Sequence, residues 1–113
     1  QRLPNLQQHL FRLMSRDIGV APLLAGDHTA DERMAAFLVG LSRRLAARGF
    51  SPRRFQLTMS RTDIANYLRQ APETVSRVLR RFEKDGVLHI KQRDVEIVDM
   101  PRLEALALAI LRE

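Results

Sequence analysis

Glu73, Ser76 and Arg77 bring a carboxylate, a hydroxyl and a guanidinium to positions three and four residues apart, the spacing of neighbours on one helix face. That set matches the hydrogen-bonding edges of base pairs. Arg can give two hydrogen bonds to guanine O6 and N7, Glu can accept from cytosine N4, and Ser can act either way. A solvated helix face would carry the same residues, so the elements that hold them decide between the two.

The first of those elements runs from Pro72 to Lys84. Val75, Val78, Leu79 and Phe82 recur at helical spacing, and Glu73, Ser76, Arg77, Arg80 and Lys84 fall on the opposite side. Upstream, Ser60 to Leu68 is predicted as a shorter helix with Ser60 as N-cap, Asp63 in a weak capping box, and Ile64 and Leu68 pointing inward. Three residues join the two helices. So tight a turn, followed by an Arg-rich polar face, is the layout of a helix-turn-helix, whose second helix enters the DNA major groove by its N-terminal end.

Composition agrees. The 113 residues make about one domain, and nineteen Lys plus Arg against thirteen Asp plus Glu give a net charge of +6, the balance of a nucleic-acid footprint. Arg33, Arg43, Arg44, Arg48, Arg53, Arg54 and Arg61 follow one another with no acidic residue between Glu32 and Asp63. No apolar run is long enough to span a bilayer and no signal-peptide pattern is present, so a soluble cytoplasmic domain with no membrane partner is expected. The absence of cysteine removes disulfides, thiolate metal sites, iron-sulfur ligation and thiol nucleophiles together. His9, His28 and His89 lack ligand spacing, and there is no Gly-rich phosphate loop or nucleophile elbow. Neither a metal, a cofactor nor an enzymatic activity is expected of this region.

Along the chain, Leu3, Leu6, Leu10 and Leu13 keep the spacing of a coiled-coil seam over barely two heptads, which suits either the tail of a dimerisation helix or a helix packed on its own domain. Because the chain opens with Gln inside this pattern, a piece of a longer protein is expected. Residues 1–17 are read as the end of the dimerisation helix, 18–29 as a hinge broken by Gly19, Pro22 and Gly26, and 30–113 as the DNA-binding domain. Thr29 with Glu32 announces the next helix, Met34, Phe37, Leu38, Leu41 and Leu45 form its apolar stripe, and Gly49 stops it. Arg43, Arg44 and Arg48 suit its C-terminal dipole, a structural reason for part of the basic run. Residues 50–54 read as an exposed loop, Phe55, Leu57 and Met59 as a short strand, and Leu88 to Ile97 as a hairpin around Lys91-Gln92-Arg93-Asp94. A helix-turn-helix followed by a hairpin is a winged helix, mainly α with a small β wing, and Lys91 and Arg93 at its tip can reach phosphates. A last helix over 101–112 covers the core with Leu103, Leu106, Ala107 and Ile110.

Glu73-Thr74-Val75-Ser76-Arg77, Asp63-Ile64-Ala65-Asn66-Tyr67-Leu68, and Leu41-Ser42-Arg43-Arg44 through Arg48-Gly49-Phe50-Ser51-Pro52 resemble the C-terminal DNA-binding domain of the Crp/Fnr bacterial transcription regulators, nearest to the Fnr and Anr branch. The resemblance covers nearly the whole chain. It implies a winged helix, a homodimer in the full-length protein, an effector sensed by an N-terminal domain outside this region, and a palindrome of TTGAT-like half-sites. Base reading is thereby carried onto Glu73, Ser76 and Arg77, and phosphate contacts onto Ser60, Arg61, Thr62 and Thr74, beside the Arg80, Lys91 and Arg93 already placed on the polar face and wing tip. Arg48, Phe50, Ser51, Pro52, Arg53 and Phe55 match a loop that touches RNA polymerase.

Three departures from that pattern carry expectations. Arg69 and Gln92 stand where Gly is common, and a left-handed backbone with a Cβ costs about 1 kcal/mol. Ala71 replaces a Ser or Thr N-cap, worth typically ~1 kcal/mol, an effect that Pro72 and Glu73 in the first turn partly offset. A less stable turn with unchanged docking is expected. Two other readings compete: a winged helix that binds protein and has only non-specific DNA affinity, and a basic nuclease. The first should lack an Arg-bearing recognition face, and the second should show clustered carboxylates or His.

Overall fold

A computed structural model describes residues 29–111, and Thr29 stands there as the cap of a helix. The seam of Leu3, Leu6, Leu10 and Leu13, and the hinge short of Thr29, lie outside the described residues. Thr29 Oγ1 accepts from the Glu32 N–H at 3.1 Å while Glu32 Oε1 accepts from the Thr29 N–H at 2.9 Å, so the capping box forms as read. The helix it opens, α1, runs Ala30–Ala47. The apolar stripe expected on α1 is too narrow a description. Every residue from Met34 to Ser42 is buried, because the helix over Met100–Leu111 packs along one side of α1 and the helix over Pro72–Lys84 on another, which makes it the central element of the core.

α1 ends in a Schellman motif: Gly49 takes φ 84°, the Phe50 N–H donates to the Leu45 carbonyl at 2.9 Å and the Gly49 N–H to Ala46 at 3.0 Å. β1 follows as Arg54–Gln56, shorter than the alternation of Phe55, Leu57 and Met59 suggests. Leu57 and Met59 are buried, but they lie beyond the strand, in the segment that leads to the next helix. α2 is Arg61–Leu68 and α3 is Pro72–Lys84, both with the boundaries read from sequence. β2 is Leu88–Lys91, β3 is Asp94–Ile97 and α4 is Met100–Leu111.

The wing is a sheet of three antiparallel strands, ordered β1-β3-β2, rather than a lone hairpin. Phe55 lies opposite Val95, Leu88 opposite Ile97, and Lys91 opposite Asp94, leaving Gln92-Arg93 as a two-residue turn with Gln92 at φ 57°. α4 starts one residue earlier than expected, because Asp99 caps it: its Oδ1 accepts from the Arg102 N–H at 3.1 Å.

α3 has Ala71 at its N-cap and makes no side-chain capping bond there, as its sequence implies. Ala71→Ser is therefore expected to raise unfolding free energy by about 1 kcal/mol, since the new hydroxyl would satisfy one first-turn N–H. Urea denaturation of the two proteins measures it. An unchanged midpoint would mean that solvent and Pro72 already satisfy this end of the helix.

Candidate nucleic-acid interface

α3 is anchored by Val75, Val78, Leu79 and Phe82, each 3 % exposed or less, so its opposite face is turned outward by packing alone. Glu73, Arg77 and Arg80 are exposed and Ser76 and Thr74 half-buried. The structure thus brings the three proposed base readers onto one surface at the N-terminal end of α3. Arg77 Nη2 donates to Thr74 Oγ1 at 3.3 Å, which holds the guanidinium over the first turn of the helix. Arg81, one residue beyond Arg80, faces elsewhere: it pairs with Asp31 of α1 at 3.0 Å, an exposed bridge worth little to stability.

α2 contributes its own N-terminal end. Ser60 Oγ accepts from the Asp63 N–H at 3.0 Å, forming one half of the capping box and leaving its own O–H to donate outward. Thr62 is exposed beside it and Arg61 half-buried. Lys91, Gln92 and Arg93 at the wing tip are all exposed. The wing is held to α3 by a contact the sequence did not announce: the Ile90 N–H donates to Glu83 Oε2 at 3.3 Å. A signal existed, since an acid in the last helical turn opposes the helix dipole and invites another purpose.

The loop after α1 is braced rather than loose. Ser42, 2 % exposed on α1, donates to the Pro52 carbonyl at 2.6 Å, and Ser51 Oγ accepts from the Arg53 and Arg54 N–H groups at 3.2 and 3.1 Å. Phe50 stands out from it at 42 % exposure, among exposed Arg48, Ser51, Pro52 and Arg53. Phe55 differs from these neighbours: it is half-buried, lies in β1 and packs on the core.

A family model for the Crp-like helix-turn-helix domain matches residues 32–106, from the first turn of α1 into α4. The chain belongs to this family. It is 50% identical over 109 residues to the fumarate and nitrate reduction regulatory protein of Salmonella typhimurium, a match covering 94% of this chain and 44% of that protein. It is also 50% identical over 110 residues to the transcriptional activator protein anr of Pseudomonas aeruginosa, covering 95% and 45%. The structure of FixK2 from Bradyrhizobium japonicum superposes with a TM-score of 0.63 at 41% identity, covering 74% of this chain and 41% of that one. The chain therefore spans less than half the length of the relatives it matches. Fold and family together make it a winged helix-turn-helix DNA-binding domain.

Proposed function

We propose that this Crp-like domain binds DNA as part of a homodimer, with α3 of each copy reading a TTGAT-like half-site in the major groove and half-site centres about one helical turn apart. The observation that carries the reading is the placement of Glu73, Ser76 and Arg77 on the outward N-terminal face of a helix whose other face is locked into the core. Ser60, Thr62 and Thr74 donate to the phosphates flanking that groove, Arg61 and Arg80 add charge, and the wing reaches the backbone with Lys91 and Arg93. The loop of Arg48, Phe50, Ser51, Pro52 and Arg53, continued by Phe55, serves as the contact to RNA polymerase. An N-terminal domain supplies the effector signal, and the DNA partner places the protein in the cytoplasm. No reaction is assigned to the domain.

Fluorescence anisotropy on a TTGAT palindrome and a scrambled duplex across a salt series tests this. Preference for the palindrome that persists as salt rises is expected. Equal and steeply salt-dependent binding to both would leave only charge attraction and refute base reading by this chain.

The wing has its own test. Lys91→Ala is expected to weaken the palindrome and the scrambled duplex by the same factor and to flatten the salt slope by about one unit, because a phosphate contact carries no sequence information. A loss confined to the palindrome would move Lys91 from the backbone to a base.

A further inference from the structure

Arg69 occupies the turn between α2 and α3 with φ 55° and ψ 52°, in the left-handed region. A side chain with a Cβ resists that conformation, and residues held in it mark places where the surroundings over-determine the backbone. Two contacts do so here. The Gln70 N–H donates to the Ala65 carbonyl at 2.9 Å, closing the Schellman motif of α2, and Arg33 Nη1 reaches across from α1 to the Leu68 carbonyl at 3.3 Å. The backbone is therefore fixed on both sides of Arg69.

The turn itself would be served better by glycine, so its geometry gives no reason for a long cation. Arg69 is exposed, and among the described residues its guanidinium has no hydrogen bond or ion pair, whereas those of Arg54 and Arg81 are held by Glu96 and Asp31. Two residues further on, Ala71 starts α3 without a hydroxyl, at the end of the helix that meets the groove. The two Cα atoms are at most about 7.6 Å apart, within the span of an arginine side chain.

We propose that Arg69 is a phosphate-binding residue, placing a cationic donor beside the groove at the point where Ala71 offers none. The inference rests on α3 docking in the major groove as described above. Arginine suits the role because its planar fork pairs with phosphate oxygens by two parallel hydrogen bonds, and each phosphate so neutralised releases counterions.

Arg69→Gly separates this role from a structural one. The variant of the 113-residue chain removes the charge and relieves the backbone together, so its thermal unfolding midpoint is expected to rise while its DNA affinity falls. The loss should be equal on the TTGAT palindrome and the scrambled duplex. With one phosphate contact fewer the salt slope drops by about 0.9, making the deficit about 3.5-fold larger at 50 mM than at 200 mM salt. Arg69→Lys should recover most of the slope, and Arg69→Asn, tolerant of the left-handed region but uncharged, should not. Unchanged affinity and slope in Arg69→Gly would overturn the proposal, as would an affinity loss accompanied by a lowered midpoint. If the unaltered chain shows no preference for the palindrome, base reading fails while the slope difference still decides Arg69.

Discussion

Phe37→Ala is expected to lower the unfolding free energy by about 3 to 5 kcal/mol, the range for truncating a fully buried aromatic side chain. Phe37 is 1 % exposed near the middle of α1, the helix that the other helices surround. Its ring lies 5.7 Å from that of Tyr67 on α2 at a tilt of 54°, an arrangement worth about 0.5 to 1.5 kcal/mol beyond burial. The substitution thus opens a cavity at the seam between the central helix and the helix-turn-helix, where Met34, Leu38 and Leu41 are themselves fully enclosed and have little freedom to collapse inward. A domain of this size has about 5 to 15 kcal/mol in total, so the variant should be marginal. Urea denaturation followed by circular dichroism measures the change. A loss under about 1 kcal/mol would show that α1 and α2 repack around the gap, and that the seam does not set how α2 is held.

What could be read in advance and what could not divides along the range of the interactions. Pro72 and Lys84 bound α3 as the sequence indicates, and Ser60, Thr29, Gly49 and Gly86 mark helix ends, because capping and periodicity act within a few residues. Arg69 and Gln92 take the positive φ that their positions imply, since turn geometry is equally local. Pairing of β1 with β3 joins Phe55 to Val95, far apart in sequence, and nothing near either residue records it. The same holds for the Glu83 tether to Ile90, for Arg33 on the Leu68 carbonyl, and for the all-round burial of α1, which depends on how many elements surround it. For the interface, periodicity gave the face that carries Glu73, Ser76 and Arg77, but not the rotamer that lays Arg77 over Thr74.

That rotamer bears on the second large effect. Arg77→Ala is expected to cost ~1 to 3 kcal/mol on the TTGAT palindrome, roughly five- to 150-fold in affinity, and to relax selectivity at one base pair. The bond to Thr74 Oγ1 at 3.3 Å restrains the guanidinium before DNA arrives, so less rotamer freedom is lost on docking and more of the two-bond contact to guanine survives as net affinity. Charge alone would give a different pattern. Arg77→Lys keeps the cation but loses the planar fork, so it should retain affinity for a scrambled duplex while losing the same base-pair discrimination as Arg77→Ala. Thr74→Val removes both the restraint and the hydroxyl that donates to a phosphate. It should therefore weaken the palindrome and the scrambled duplex alike through the lost phosphate contact, with a further small loss on the palindrome alone from the freed Arg77. Anisotropy titrations on the palindrome, on its single-base variants and on scrambled DNA, at two salt concentrations, resolve these terms. If Arg77→Ala weakens specific and scrambled duplexes equally, Arg77 is a phosphate contact, and base discrimination by α3 must rest on Glu73 and Ser76.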